Sequence, residues 1–263
     1  MTLIVGIRCA DGVVVASDSA ATLAAGTQPT IGQQANTKVH QLGDEMLYAS
    51  CGAVGMSQLI RDAFEKAVSV KGPGKQNTSA DLMRYLSSLI GDQLKKPFEQ
   101  AIASIPLVGR ERAGLTVTCS CIVGVVNHDT ARLYQFDTSG MPEEATKELP
   151  FVALGSGQGL ADPFLALLKR VLWSDREPNL AEGRFAAAWT IVHVARTNPG
   201  GVALPLQLSS LCKIEGKWRT RNHTPEEHYE AIDAAEKALL RHVRPDTQPL
   251  DQPVEPPPEP PAT

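Results

Sequence analysis

The second residue of the chain is a threonine that opens an apolar run, Thr2-Leu-Ile-Val-Gly-Ile-Arg. A threonine hydroxyl is a poor nucleophile until a base takes its proton, and a threonine at a mature N-terminus carries a candidate base in its own α-amine. Such an amine titrates at about 7.8, against about 10.4 for lysine, so much of it is neutral at near-neutral pH, and a neighbouring lysine cation depresses it further. The chemistry on offer is acyl transfer through the Thr2 oxygen once Met1 is removed, for which Thr2 is small enough. On its own, a Thr after the first Met is also commonplace. Gly155-Ser-Gly-Gln-Gly, between an apolar run and a helical pattern, is a second candidate that reads as a nucleotide loop or as a nucleophile elbow. Both patterns are incomplete, with Leu154 where the elbow has Gly and Leu160 where the dinucleotide fingerprint has its third Gly. None of His40, His128, His193, His223, His228 and His242 falls in a His-Glu-x-x-His pattern. Cys119 and Cys121, two apart, share one face of a strand and lack a second Cys or His pair at zinc spacing, so core packing is the expectation, with no metal and no organic cofactor.

The elements that must position these residues follow from periodicity. Leu3 to Arg8 and Val13 to Ser17 read as strands joined at Ala10-Asp-Gly, a short-turn signal, and Lys38 to Leu42 and Met46 to Cys51 read as a second hairpin about Gly43-Asp44. Gly26 to Asn36 reads as a polar connection. Apolar spacing of three and four predicts helices over 56–70 and 79–96, and again over 160–173 and 180–196, with strands at 115–126, 132–136 and 151–154 between the pairs. A strand pair near 205–219 and a helix over 225–243 complete the order, with Glu226, Glu227 and Glu230 preceding Arg241, His242 and Arg244 as the macrodipole favours. Hairpin-linked strands and paired helices predict an α+β fold, a four-layer αββα sandwich of two antiparallel sheets. One domain spans 2–244; residues 245–263, rich in Pro, Glu, Asp and Gln, have almost nothing with which to build a core and are expected to be a disordered tail.

Composition sets the class. Hydrophobic residues at 43% and charged residues at 21% suit a globular chain rather than a disordered or collagenous one. A net charge of −4 with scattered Lys and Arg offers no basic stripe for nucleic acid, and no apolar run is long enough to span a membrane. Five cysteines, an odd number set mostly among apolar residues, suit free thiols in a reducing compartment, and the cytoplasm is the expected location.

Taken together, four segments resemble proteasome β subunits, which belong to the N-terminal nucleophile hydrolases. Thr2-Leu-Ile-Val-Gly-Ile-Arg-Cys-Ala-Asp-Gly-Val-Val-Val-Ala-Ser-Asp-Ser-Ala-Ala-Thr is similar to the opening in which the nucleophilic threonine starts one strand and an acid, here Asp18, ends the next. Asn36-Thr-Lys-Val-His-Gln-Leu resembles the segment of the catalytic lysine, here Lys38. Ala49-Ser-Cys-Gly-Ala-Val-Gly resembles the segment whose glycine N–H forms the oxyanion hole, here Gly52. Ala153-Leu-Gly-Ser-Gly-Gln-Gly resembles the turn whose serine, here Ser156, sits beside the nucleophile's amine. The resemblance runs in element order to about residue 243, is most specific in the first fifty or so residues, and is closest to the bacterial proteasome homologues called BPH, near the HslV-type peptidases.

The resemblance implies a threonine endopeptidase in stacked homo-oligomeric rings, heptameric or hexameric, with room for an ATP-dependent unfoldase. It implies an extended polypeptide substrate pairing near Thr22 and Gly52, with Ala21, Ser50 and Val54 on the wall of the specificity pocket. Two departures stand out: Ala20 where the family often has Arg, and Thr197 or Asn198, with no matching Ser, where the family has a later Asp and Ser supporting the amine. They keep two other expectations open, a catalytically silent ring scaffold and an N-terminal nucleophile amidase acting on small molecules.

Overall fold

The first two strands are buried on both faces, which is why they read as nearly unbroken apolar runs. In β1 (Ile4–Cys9) Val5 and Ile7 point to a helical layer while Ile4 points the other way, and in β2 (Gly12–Ser17) Val14 and Ala16 oppose Val13 and Val15 in the same manner. The computed structural model describes residues 2–25, 28–32, 37–103, 118–174, 176–198 and 201–244. The remaining elements are β3 (Ala21–Ala25), β4 (Gln28–Gly32), β5 (Val39–Leu42), β6 (Met46–Gly52), α1 (Val54–Ser69), α2 (Ser79–Ala103), β7 (Cys119–Asn127), β8 (Thr130–Phe136), β9 (Pro142–Glu144), β10 (Phe151–Leu154), α3 (Gln158–Leu168), α4 (Leu180–Thr197), β11 (Gln207–Ile214), β12 (Lys217–His223) and α5 (Pro225–Val243).

Ten of these strands form two five-stranded sheets, β10-β1-β2-β11-β12 and β5-β6-β7-β8-β9, β3 and β4 pair as a two-stranded one, and every pairing is antiparallel. Ile4, Val13 and Val15 of the first sheet meet Leu47, Ala49, Ile122 and Leu133 of the second in the central apolar layer. On the outside of the second sheet, Met56, Ile60 and Phe64 of α1 and Leu82, Leu86 and Ile90 of α2, each set four apart, cover Tyr48, Val123 and Tyr134. On the outside of the first, Leu165 and Leu168 of α3, Ala187, Ile191 and Val194 of α4 and Ile232 of α5 cover Val5, Ile7 and Val14. The protein is therefore an α+β sandwich of four layers, helix, sheet, sheet, helix, as the strand and helix order predicts.

Local chemistry explains the element ends. A capping box starts α4: Asn179 Oδ1 accepts the Glu182 N–H and the Glu182 carboxylate accepts the Asn179 N–H, both at 3.0 Å. Cys119 and Cys121 are both buried on the helix-facing side of β7, as their spacing implies. Three elements depart from expectation. Of the stretch over 26–36, read as a connection, residues 28–32 form β4, paired with an Ala21–Ala25 strand of little β-branched character and carrying Pro29, which reads as a breaker; residues 26–27 and 33–36 lie outside the described residues. Helix α2 runs through Pro97 to Ala103 instead of ending before it. The last turn of the predicted 160–173 helix is π-helical, Lys169–Trp173. The predicted strand start at 115 and the tail 245–263 lie outside the described residues.

Candidate active site

Thr2 sits just ahead of β1 and is pinned by the turn that follows β10. Its carbonyl oxygen accepts the Gly157 N–H at 3.3 Å, and its backbone nitrogen donates to Ser156 Oγ at 3.2 Å. This contact needs a glycine at 155, where φ is +104° and a Cβ would lie 2.2 Å from the Thr2 carbonyl oxygen. Gly155→Ala is expected to cost about 2 kcal/mol in backbone strain and to displace Thr2. The checks are a lowered melting temperature and at least tenfold slower reaction with an electrophilic probe; an unchanged melting temperature would contradict the contact.

Asp18 follows the last residue of β2 and is fully buried. Its Oδ1 accepts the Leu3 N–H at 3.0 Å and the Lys38 ammonium at 2.6 Å; its Oδ2 accepts the N–H groups of Ala20 at 3.0 Å and Ala203 at 3.3 Å. A carboxylate without solvent is costly unless paired and hydrogen-bonded, and here a cation and three backbone donors supply both. Lys38, one residue ahead of β5 and only 7% exposed, also donates to Thr2 Oγ1 at 3.1 Å. Burial pushes its pKa below the usual lysine range, while the charge and hydrogen bond of Asp18 oppose the shift. Thr2, Asp18, Lys38 and Ser156, four residues from four parts of the sequence, are thus joined in one hydrogen-bonded chain.

Gly52 ends β6, the strand on which Ala49 pairs with Val39 next to Lys38. It is exposed, its φ is +111°, and a Cβ there would fall 2.4 Å from the Thr118 carbonyl oxygen, so only glycine fits without rearrangement. Ser50, half-buried on the same strand, shares a hydrogen bond with Ser57 of α1 through their hydroxyls. Val54 opens α1 and is 56% exposed. Ala21 and Thr22 open β3, where only the backbone is described.

Thr197, suggested above as a stand-in for a supporting acid, spends its hydroxyl on its own helix, donating to the carbonyl oxygens of His193 at 2.9 Å and Val194 at 3.3 Å. Asn198 ends α4. The sequence reading missed Ala203 and Gln207. Ala203 contributes a backbone N–H, which leaves no mark in a sequence, and Gln207 reaches Lys38 from the other sheet, accepting the Lys38 N–H at 2.8 Å. Among the described residues, no group of three or more His, Cys, Asp or Glu is placed to hold a metal ion, and no helix is long and apolar enough to cross a membrane.

A hydroxyl contacted by a buried, acid-paired lysine and adjoining a serine-contacted backbone nitrogen is an arrangement suited to nucleophilic attack. Residues 2–98 match the proteasome subunit family. The fold is that of Anbu (ancestral beta-subunit) from Yersinia bercovieri, with a TM-score of 0.65 at 18% identity over 95% of this chain and 100% of that one. Anbu from Hyphomicrobium sp. strain MC1 gives 0.61 at 19% identity over 95% and 100%. The helical assembly of the Anbu complex from Pseudomonas aeruginosa gives 0.65 at 18% over 95% and 98%. No curated protein matches the sequence.

Proposed function

We propose that the chain is a proteasome-type threonine peptidase that cleaves polypeptides through an acyl-enzyme on Thr2 after Met1 is removed. The observation that carries this reading is Lys38 Nζ lying 3.1 Å from Thr2 Oγ1 while bound to the buried Asp18 at 2.6 Å. The neutral Thr2 amine takes the hydroxyl proton as Oγ1 attacks the peptide carbonyl, and the Lys38 ammonium lowers the proton affinity of both groups. The Gly52 N–H receives the tetrahedral oxyanion, the amine returns the proton to the leaving nitrogen, and water then hydrolyses the ester. Ser156 orients the amine. Ala21, Thr22, Ser50 and Val54 line the path of an extended substrate. A peptide with a C-terminal electrophile should inactivate the protein with a 1:1 mass increase; full resistance of protein that begins at Thr2 would favour the silent-scaffold reading, for which the self-bonded Thr197 hydroxyl speaks.

The pH profile follows from the same groups. Activity should rise as the amine loses its proton, below the usual value of about 7.8 because of the Lys38 cation, and fall as Lys38 itself deprotonates, below the usual value of about 10.4. Asp18 supports the charge on Lys38, so Asp18→Asn should move the alkaline limb to lower pH. Residual hydrolysis measured across pH tests this, and an alkaline limb that stays in place would take Asp18 out of the role.

The proposal extends to assembly and domain organisation: residues 2–244 form the peptidase unit, and copies of the chain associate as the Pseudomonas aeruginosa Anbu complex does in its helical assembly. Light scattering of the full chain and of a chain ending at residue 244 should give the same multi-subunit particle. A monomer in either case would contradict one of the two statements.

A further inference from the structure

Lys38 stands at an awkward place for a residue on which the site depends. It lies one residue ahead of β5, the outermost strand of its sheet, and ladder pairing with β6 begins only at Val39 opposite Ala49. Its side chain must nevertheless reach across to Thr2 and Asp18, which flank β1 and β2 of the other sheet. Something must fix the backbone at the start of β5 relative to the end of β2.

We infer that the Gln207 carboxamide is the positioning residue for Lys38, a cross-sheet clamp that sets the Lys38 ammonium between Asp18 and Thr2. Its Oε1 accepts two consecutive backbone N–H groups, Lys38 at 2.8 Å and Val39 at 3.3 Å. Its Nε2 donates to Ser19 Oγ at 3.1 Å, and Ser19, next to Asp18, donates its own proton to the Pro205 carbonyl oxygen at 2.5 Å. Gln207 is also the first residue of β11, paired with Ser17 at the end of β2. One planar group therefore holds the start of β5 with its oxygen and the Asp18 segment with its nitrogen.

The chemistry of the network selects an amide. Two N–H donors fix which end is oxygen, and the Ser19 proton, committed to Pro205, leaves Ser19 Oγ as an acceptor that needs a donor. A carboxylate at 207 keeps the acceptor and loses the donor; an isosteric thioether loses both. None of the hydrogen bonds described for the Gln207 side chain reaches Thr2 Oγ1 or the Lys38 ammonium, and its oxygen holds the Lys38 backbone, so its effect on the site passes through Lys38. Misplacing a catalytic group by about 1 Å costs on the order of 10²-fold in rate, while leaving substrate contacts alone.

As a deepening of the peptidase reading, the inference rests on it for its kinetic arm but not for its structural one. The experiment compares wild type with Gln207→Met and Gln207→Glu in the full chain. Gln207→Met should lower kcat by roughly 10- to 100-fold with KM within about twofold, and should speed amide hydrogen exchange of Lys38 and Val39 at least tenfold while Leu47 and Ala49 stay protected. Gln207→Glu should restore slow exchange at Lys38 and Val39 and part of kcat, because its oxygen still accepts both N–H groups. Wild-type exchange at Lys38 and Val39 in Gln207→Met overturns the clamp, as does a loss confined to KM. If Gln207→Met does not fold, Gln207→Glu decides alone, since fast exchange at both amides in that variant also overturns it. If wild type forms no adduct with an electrophilic peptide, the peptidase reading fails, yet the exchange data still decide whether Gln207 holds Lys38.

Discussion

On the proposed mechanism, replacing Lys38 with alanine is expected to reduce peptide hydrolysis by at least about 10³-fold, at the upper range for loss of a group that acts on proton transfer. The effect is large because one ammonium serves two partners, Thr2 Oγ1 at 3.1 Å and Asp18 Oδ1 at 2.6 Å. Its removal leaves the Thr2 hydroxyl without its tuning cation and strips Asp18 of its only side-chain partner among the contacts described. The fold survives: Asp18 keeps the N–H groups of Leu3, Ala20 and Ala203, so the expected destabilisation is about 2 kcal/mol rather than the full cost of an orphaned buried charge. Steady-state kinetics with circular dichroism checks both halves. Turnover within tenfold of wild type would remove Lys38 from the mechanism, and an unfolded variant would show that the backbone donors do not suffice.

Retaining Met1 has a still larger expected effect. The proposed base is the Thr2 α-amine, and a peptide bond to Met1 turns that nitrogen into an amide with no useful basicity. Protein carrying a cleavable N-terminal extension should therefore be inert, and release of Thr2 as the first residue should switch hydrolysis on in the same sample. Thr2→Ser, which keeps both hydroxyl and amine, should retain part of that activity, and Thr2→Ala none. Activity before cleavage would identify a different base.

The layer order was legible because β1 and β2 are apolar on both faces and the helices carry apolar residues at three- and four-residue spacing, so period and length sufficed. The β3–β4 hairpin was not, since Ala21–Ala25 and Pro29 carry no alternation to read. Pro97 misled in the other direction, because α2 tolerates it and continues. Within the candidate site, Thr2, Asp18, Lys38 and Ser156 were singled out because each sits in a segment that resembles proteasome β subunits, and the structure joins the four by hydrogen bonds. Gln207 and Ala203 could not: Ala203 acts through a backbone N–H, and Gln207 reaches Lys38 from the other sheet through an amide that looks like any polar strand residue. At finer grain the sequence pointed to BPH, whereas the solved structures named above are Anbu proteins of the same fold.

The central claim is that Thr2 Oγ1 becomes the acyl-enzyme oxygen. The most direct measurement is intact mass and peptide sequencing of mature protein after reaction with an electrophilic peptide. The expected result is a chain that begins at Thr2 and carries one adduct on the Thr2 side chain, absent from Thr2→Ala and from protein with Met1 attached. An adduct on another residue, or hydrolysis undiminished in Thr2→Ala, would contradict it.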